Sequence, residues 1–214
     1  MVRALALIIQ SVLDSILPRK ERIVRIDKYR AEDIPVTPAE HDACGVRITT
    51  LMEYREPIVE DLVRGLKYDR SGRAARLLAD MLAEYLREEI ASMRAFSTKP
   101  VMLIPVPLHV SRERERGFNQ VERVLHALPA ELTDGTVARV VTGSLVRIRP
   151  TAQQTRLSRP ERLNNVAGAF ALSHTLPDSH VILIDDVTTT GATLAEASRP
   201  FRDRPVTLVA LAHA

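Results

Sequence analysis

Two adjacent aspartates followed by small, hydroxyl-bearing residues form the part of the sequence whose residue types best suit chemistry on a phosphorylated sugar. Asp185 and Asp186 follow the apolar run 181–184, and the string TTTGAT occupies positions 188–193. Two carboxylates can hold a sugar diol or the waters around a divalent cation. Threonine hydroxyls, a glycine that permits a tight turn and successive backbone N–H groups can surround a phosphate. The string therefore predicts a ribose-phosphate site.

An ordinary buried strand that ends at a capped turn is the alternative interpretation of the same residues. The string has neither the lysine of a P-loop nor the glycine pattern of a dinucleotide fold, which excludes those two phosphate sites. Thr193 and Glu196 have the spacing of a capping box and predict a helix over Leu194 to Phe201. A phosphate held by the turn would then meet the N-terminus of that helix.

Two apolar runs predict the strands that position this site. Positions 181–184 and 101–107 are apolar without alternation, as in strands covered on both faces of a parallel sheet. Ligands of open α/β sheets bind beyond the carboxyl ends of the strands, where Asp185 and Asp186 are expected to fall. Pro105 and Pro107 should end the second strand, because proline donates no backbone hydrogen bond.

Helical and strand-like segments alternate along the rest of the chain. Helices are predicted from Pro57, over 73–93 and over 119–132, and short strands over 144–148, 168–172 and 206–212. The apolar stripes of the first two helices fit core packing better than a dimer face, although they do not exclude a homodimer. The alternation predicts an α/β fold with a central, mostly parallel sheet flanked by helices.

Two basic segments lie close to the predicted strands. Arg116, Gly117 and Asn119 could bind a pyrophosphate, whereas the alternating charges of 112–115 are also typical of a solvated helix face. The segment 147–165 carries five arginines and one glutamate. It fits a loop that closes over a polyanionic substrate, a solvated surface loop or a patch that follows nucleic-acid phosphates.

Composition bounds the function classes. The 214 residues carry 30 basic and 27 acidic side chains, a net charge of +3, and eight Phe and Tyr without Trp. This balance gives little support to a broad nucleic-acid surface. The single cysteine, Cys44, excludes an internal disulfide and fits the cytoplasm. The first 17 residues are predicted to form an amphipathic helix, and no membrane span or membrane partner is expected.

Several motifs together resemble the ComF/GntX family of the type I phosphoribosyltransferase superfamily. The resemblance covers about Tyr54 to the C-terminus, and the RGFNQ element at 116–120 discriminates this family best. The other matching elements are Leu66-Lys67-Tyr68, Pro105-Val106-Pro107, the series Thr151, Gln154, Leu157, Glu161, Arg162 and Asn165, the pair Ala169-Phe170, and Asp185-Asp186 with Thr189 to Thr193.

This resemblance implies a type I phosphoribosyltransferase-like fold with a small hood, phosphoribosyl pyrophosphate as ligand, and Mg²⁺ held through that ligand rather than by direct protein ligation. Asp185 and Asp186 would contact the ribose hydroxyls, and Arg116 would stabilise the leaving pyrophosphate. The 5′-phosphate would lie against Thr189, Thr190, Gly191, Ala192 and Thr193. The pyrophosphate and its covering loop would involve Val106, Pro107, Leu108, Arg149, Gln154 and Arg162.

The N-terminal part departs from the family pattern. Relatives often carry a four-cysteine zinc module, whereas His41 and Cys44 supply only two of the four ligands that zinc needs. No zinc is therefore expected. The sequence predicts an extension over 1–57 without that module and a phosphoribosyltransferase-like domain over 58–214.

Two functions remain open at this point. The first is transfer of the phosphoribosyl group to an acceptor that the motifs do not identify, with release of pyrophosphate. The second is a noncatalytic protein that binds phosphoribosyl pyrophosphate or handles single-stranded DNA in DNA uptake, a role that the family resemblance implies.

Overall fold

The computed structural model describes residues 20–108, 110–149 and 166–214, apart from the side chains of residues 111, 112 and 115. Its central sheet has six strands in the order β1-β2-β8-β7-β3-β4. Every neighbouring pair is parallel except β1 and β2. The strands are β1 (Ala39–Ala43), β2 (Val46–Glu53), β3 (Val101–Pro105), β4 (Arg139–Val140), β7 (His180–Thr188) and β8 (Val206–His213).

Helices cover the sheet, and a small antiparallel pair forms a second sheet. That pair consists of β5 (Leu145–Arg147) and β6 (Phe170–Leu172). The helices are α1 (Glu21–Lys28), α2 (Pro57–Tyr68), α3 (Gly72–Arg94), α4 (Val110–Arg116), α5 (Gln120–Leu125) and α6 (Ala192–Ser198), with 3-10 turns at Ala31–Asp33, Ala130–Leu132 and Arg199–Phe201. The predicted α/β class, with a mostly parallel sheet between helices, is confirmed and is compatible with a type I phosphoribosyltransferase-like fold.

The unbroken apolar run at 181–184 forms the middle of β7 because both faces of this strand are covered. Ile182 and Ile184 belong to the core beneath α2, α3 and α5, whereas Val181 and Leu183 belong to the core beneath α6 and the β5–β6 pair. All four side chains have no exposed surface. A two-sided strand of this kind gains nothing from alternation, which explains why the sequence shows none.

The two long helices begin at recognisable signals and bury the predicted stripes. Pro57 occupies the first turn of α2, and the Ser71 hydroxyl accepts a hydrogen bond from the backbone N–H of Ala74 at the start of α3. The leucines of both stripes, such as Leu62 and Leu82, are fully buried. The prediction that these stripes pack in the core is confirmed.

The predicted helix over 119–132 is wrong as a single element. The structure has α5 only over Gln120–Leu125, followed by a turn and the 3-10 turn Ala130–Leu132. Pro129 lies between them, and proline lacks the N–H that a continuous helix needs and disfavours helical backbone in the residue before it. The other helices and strands predicted within the described residues agree with the structure to within a few residues, whereas the amphipathic helix predicted for the first 17 residues lies outside the described residues.

Part of the predicted N-terminal extension belongs to the central sheet. A two-residue turn joins β1 to β2, and both of its residues, Cys44 (φ 55°) and Gly45 (φ 78°), have the positive φ that such hairpins require. The strand β2 pairs with β8 in parallel, and Leu51 and Met52 are buried. The boundary placed at residue 57 therefore falls after two strands of the sheet.

Across the described ranges, no helix combines the length and the apolar character needed to cross a lipid bilayer.

Candidate functional site

The two aspartates lie near the carboxyl ends of the central parallel strands, a position called the carboxyl edge below. The strand β7 continues past them to Thr188, because Asp185 and Val187 still pair with Ala210 and Ala212 of β8. The expectation that the carboxylates follow the strand is thus corrected by about three residues. Successive residues of a strand point to opposite faces, so Asp185 and Asp186 lie on opposite sides of the sheet.

Asp186 is the point where three elements meet. Its Oδ2 atom lies 2.9 Å from the Lys67 ammonium group of α2 and accepts a hydrogen bond of 2.6 Å from the Gln120 amide of α5. Its Oδ1 atom accepts a hydrogen bond of 2.6 Å from the backbone N–H of Val187. Only 8% of the Asp186 side chain and 18% of the Lys67 side chain are exposed. Both oxygen atoms of the Asp186 carboxylate therefore have partners.

Asn119 joins the end of β3 to the start of α5. Its carbonyl oxygen accepts a hydrogen bond of 2.9 Å from the backbone N–H of Val121, which caps the helix, and its amide donates to the Val106 carbonyl at 3.1 Å. Asn119 and Gln120 are both buried. These two neighbours therefore anchor α5 to the carboxyl edge, one through the loop after β3 and the other through Asp186.

Arg116 is held close to the same cluster. Its guanidinium group donates to the Gln120 side-chain oxygen at 3.1 Å and lies over the Tyr68 ring, 5.8 Å from the ring centroid. Arg116 thus reaches Asp186 through one intervening residue. Its predicted contact with pyrophosphate stays a prediction.

Gly117 is required by both its backbone and its surroundings. Its φ is +80°, and a Cβ atom placed on it would lie 2.7 Å from a terminal nitrogen of Arg70. That same nitrogen donates a hydrogen bond of 2.7 Å to the Arg116 carbonyl. Arg70 itself has a positive φ of 53°, an uncommon conformation for a residue with a side chain. The glycine of the RGFNQ element therefore makes room for an arginine.

Asp185 has an unusual electrostatic environment. Burial of the carboxyl group, together with the negative charge of Asp186, raises its pKa to about 7. A hydrogen bond from the backbone N–H of Asp186, at 2.8 Å, and the positive charges of Lys67 and Arg147 act in the opposite direction. Asp185 therefore exchanges its proton close to neutral pH, which is the behaviour of a group that can also take up a proton from a ligand.

The turn after β7 is packed tightly against the β1–β2 hairpin. Gly191 has a φ of +73°, and a Cβ atom on it would lie 2.6 Å from side-chain atoms of both Ala43 and Ile48. Its N–H donates to the Thr188 hydroxyl at 3.2 Å. The Cys44 thiol, at the tip of the hairpin, donates to the Thr190 carbonyl at 3.3 Å. The hairpin therefore fixes the shape of the turn that was predicted to surround a phosphate.

The predicted capping box between Thr193 and Glu196 is wrong. The helix α6 begins at Ala192 after Gly191, without a side-chain cap, and Glu196 is buried instead. Its carboxylate accepts a hydrogen bond of 2.6 Å from the backbone N–H of Gly168 and pairs with Arg199 at 2.9 Å. Because Gly191 is the residue that precedes the helix, Thr193 is already its second residue and Glu196 does not have the spacing of a capping box.

The remaining predicted site residues lie at varying distances along the chain from this cluster. Val106, Pro107 and Leu108 follow β3 at the carboxyl edge, and the Val106 N–H donates to Ile184 of β7 at 2.8 Å. Arg149 is exposed just beyond β5, whereas Gln154 and Arg162 lie outside the described residues. Within the described ranges, no group of three or more His, Cys, Asp or Glu side chains could hold a metal ion directly.

His41 and Cys44, which would be two of the four ligands of a zinc site, have other partners in the structure. The His41 ring stacks on His213 with 4.3 Å between centroids and shares a hydrogen bond of 2.9 Å with the Thr50 hydroxyl.

Lys67 and Gln120 are the functional residues that the sequence did not identify as such. Both stand in motifs that were recognised, but nothing in a motif says which side chain it will meet 66 or more residues away. A usable signal was the pair of adjacent carboxylates after an apolar run, because a carboxylate that becomes buried there needs a partner such as a lysine or an amide.

Comparison with known proteins gives relatives over most of the chain. The DNA utilization protein YhgH of Salmonella typhimurium is 32% identical over 154 residues, which are 72% of this chain and 64% of that protein. Competence protein F of Haemophilus influenzae is 31% identical over 159 residues, 73% of this chain and 66% of the relative. Competence protein ComFC of Bacillus subtilis is 35% identical over 106 residues, 50% of this chain and 40% of that protein.

The chain spans just under two thirds of the length of the first two relatives. None of the protein-family models compared with the chain matches it. The identity to these relatives exceeds 30%, and the family motifs recognised in the sequence supply the side chains that meet at Asp186. The chain belongs to the ComF family.

Proposed function

We propose that this protein acts in the cytoplasmic handling of DNA and that its carboxyl edge binds phosphoribosyl pyrophosphate together with Mg²⁺. The names of the relatives, DNA utilization protein and competence protein, support the first part. The meeting of Lys67, Gln120 and Asp186 supports the second, because three separate family motifs supply these residues. This convergence is the single observation that carries the proposal.

The chemistry of the edge suits the ligand at both of its ends. The carboxylates of Asp185 and Asp186 accept hydrogen bonds from hydroxyl groups and from the water shell of Mg²⁺, which prefers oxygen ligands. The turn at 189–193 begins with hydroxyl-bearing residues and contains Gly191 in the left-handed region, a geometry that presents backbone N–H groups to an anion. Arg116 lies close enough to this cluster to contact a pyrophosphate group.

Binding requires Asp186 to change partners. In the structure its Oδ2 atom is engaged by both Lys67 and Gln120. A ribose hydroxyl that donates to this carboxylate has to share it with them or displace one of them. Lys67 would then be released beside a polyanionic ligand, where its charge is again compensated. The cost of breaking the ion pair is in this way offset by a new one.

Transfer of the phosphoribosyl group is the second candidate, and the environment of Asp185 favours it. In that reaction an acceptor attacks carbon 1 of the ribose, the bond from carbon 1 to the pyrophosphate oxygen breaks, and the acceptor loses a proton. A carboxyl group with a pKa of about 7 can take up that proton at neutral pH. Release of pyrophosphate in the presence of nucleobases or amines would distinguish a transferase from a protein that only binds.

Calorimetric titration with phosphoribosyl pyrophosphate, with and without Mg²⁺, tests the proposal. We expect binding that requires Mg²⁺. The double variant Asp185→Asn/Asp186→Asn should bind at least about 100-fold more weakly, because each lost hydrogen bond to a charged group is worth roughly 1.5–3 kcal/mol.

The matched control is Asp178→Asn, which removes one exposed carboxylate paired with Lys99 on the surface. This control should bind like the unmodified chain. Absence of binding by the unmodified chain, or equal loss in the control, would refute the proposed site. Circular dichroism of each variant separates loss of the ligand from loss of the fold.

A further inference from the structure

We propose that single-stranded DNA binds a surface formed by Tyr68, Arg70, Arg116, Phe118 and Arg123, which we call the Arg-aromatic surface. The proposal identifies a contact surface for the DNA-handling role proposed above and rests on that role. It places the DNA on α2, α5 and the segments beside them. The sequence suggested a nucleic-acid patch in a different segment, 147–165, most of which lies outside the described residues.

Three guanidinium groups and two aromatic rings meet at this surface. The guanidinium groups of Arg70 and Arg123 lie 5.4 Å and 5.0 Å from the centroid of the Phe118 ring, and that of Arg116 lies 5.8 Å from the centroid of the Tyr68 ring. Cation–π contacts of this kind hold arginine side chains in place without neutralising them. The charges therefore stay available to an anionic partner.

The described ion pairs distinguish the arginines of this surface from others of the protein. Among the side chains that the structure describes, no carboxylate forms an ion pair with Arg70, Arg116 or Arg123. Elsewhere on the protein, Arg64 and Arg87 each pair with a glutamate at 2.7 Å. Two acidic residues lie on the neighbouring helices, and burial, followed by the negative charge of Glu113, raises the pKa of Glu122.

The backbone is adapted to hold one of these arginines. Arg70 has a φ of 53°, and its guanidinium group bonds to the Arg116 carbonyl in the position that it takes beside Gly117, where a Cβ atom would lie 2.7 Å from it. A residue with a side chain costs roughly 1 kcal/mol or more in this backbone region. Such a conformation persists when the surroundings hold it, and here the contact with the Phe118 ring and the carbonyl of Arg116 does so.

Single strands fit this combination better than duplexes do. Arginines contact phosphates at any position along a strand, whereas Tyr68, 61% exposed, offers ring surface on which an unpaired base can stack. The bases of a duplex are already stacked and cannot reach such a ring. The net charge of +3 is too small to attract DNA to the molecule as a whole, so binding depends on this local cluster.

The Arg-aromatic surface also adjoins the proposed ligand site. Arg116 bonds to Gln120, which bonds to Asp186, and Tyr68 follows Lys67, the ion-pair partner of Asp186. Two short routes therefore lead from the DNA surface to the carboxylate that the proposed ligand would contact.

Fluorescence anisotropy with a labelled thymidine oligonucleotide tests the surface, using the 214-residue chain at several salt concentrations. We expect binding that weakens with salt. Arg123→Gln should weaken it several-fold and reduce the slope of log K against log salt by about 0.7, the contribution of one phosphate contact in a single strand. Tyr68→Leu should weaken binding by about 5-fold or more with an unchanged slope, because it removes stacking and no charge.

The matched control is Arg87→Gln, which removes the same charge from the exposed pair with Glu131 and should bind DNA like the unmodified chain. Equal effects of Arg123→Gln and Arg87→Gln would overturn the proposal, and so would equal affinity for a duplex or no binding at low salt. Titration of the same variants with phosphoribosyl pyrophosphate separates the two proposals. The Arg123→Gln protein should retain that binding, so a failure in one assay is independent of a failure in the other.

Discussion

At the scale of single residues, Asp185 and Asp186 are neighbours in sequence but have different surroundings. Asp186 is bonded to a lysine and an amide, whereas Asp185 accepts a hydrogen bond from the backbone beside it and has a pKa of about 7. The difference arises because the two side chains leave β7 on opposite faces of the sheet, and only Asp186 bonds to Lys67 and Gln120. One carboxylate is bonded to a lysine and an amide, and the other, with a pKa of about 7, can gain or lose a proton near neutral pH.

This assignment predicts how stability depends on pH. The pKa of Asp185 is higher in the folded chain than the ordinary value of 3.8, so the folded state keeps its proton to higher pH than the unfolded state. Its contribution to stability is therefore largest below about pH 4 and is lost as pH rises towards 7. Asp185→Asn cannot lose a proton and should be more stable than the unmodified chain at pH 8, by about 4 kcal/mol at most.

Urea unfolding of both proteins at pH 5 and pH 8 measures this difference. The advantage of the variant should shrink at pH 5, where most of Asp185 is protonated in the folded chain. An advantage that does not change with pH would show that Asp185 does not titrate between these values.

At the scale of elements, the carboxyl edge is assembled by helices that reach it from one side. Lys67 lies in the last turn of α2, and Gln120 begins α5 directly after the Asn119 cap. Their shared partner Asp186 is in β7. The ion pair is mostly buried, and a buried charge that loses its partner is costly because water does not replace it. The edge therefore joins elements of the fold in addition to its proposed role as a ligand site.

A double-mutant cycle tests whether this joint holds the elements together. Lys67→Met should lower the free energy of unfolding by about 2–4 kcal/mol, because the Asp186 carboxylate stays buried without a cation. Adding Asp186→Asn should recover part of that loss, so the two changes will be strongly non-additive. Chemical denaturation of the four proteins measures the coupling.

Arg87→Met provides the comparison, because Arg87 and its partner Glu131 are 49% and 36% exposed. Its effect should stay within about 1 kcal/mol. A Lys67→Met variant that is no less stable than Arg87→Met would contradict the role given to the ion pair.

For the whole molecule, the described part of the N-terminal region is built into the fold. Arg25 of α1 donates two hydrogen bonds of 2.7 Å to Asp61 of α2, β2 pairs with β8, and the β1–β2 hairpin packs against Gly191. One part of the predicted site, the turn at 189–193, thus packs directly against residues that precede position 57.

Removal of residues 1–56 should therefore abolish cooperative folding of the remainder. The cut exposes one side of β8 and deletes buried residues such as Leu51 and Met52, and each lost apolar side chain of this size is worth roughly 2–3 kcal/mol. Thermal unfolding followed by circular dichroism measures the outcome. Arg47→Ala, which removes only exposed ion pairs of the same hairpin, should unfold like the unmodified chain. A cooperative transition in the truncated chain would contradict this account.

The fold was predictable from the sequence wherever one segment carried its own signal. The apolar run of β7 and the stripe of α3 predicted buried elements because burial on two faces, or on one helical face, leaves a pattern in the chain. The helix predicted after Asn119 was too long, because Pro129 prevents a continuous helix up to residue 132. The strand β1 was missed because the exposed and half-exposed residues of this edge strand resemble those of a linker, and β2 was missed because its mostly buried stretch over 48–52 is short.

The site was predictable as a set of residues and not as a set of contacts. Asp185, Asp186 and the turn at 189–193 were identified from their types and spacing, which local chemistry determines. The contacts of Lys67 and Gln120 with Asp186 join residues far apart in sequence. Likewise, the Glu196 carboxylate accepts a hydrogen bond from the backbone N–H of Gly168 rather than from a residue at the start of its own helix. Such pairings follow from the packing of helices on the sheet, which no local pattern specifies.

Hydrogen exchange measured by mass spectrometry, with and without phosphoribosyl pyrophosphate and Mg²⁺, tests the central claim most directly because it locates the ligand on the chain. We predict that the ligand slows exchange of the amides of residues 187–193, whose N–H groups would contact the 5′-phosphate, and leaves exchange at the distant C-terminal end of α3 unchanged. Unchanged exchange in the turn at saturating ligand, or slowing confined to another part of the protein, would contradict the assignment of the carboxyl edge as the phosphoribosyl site.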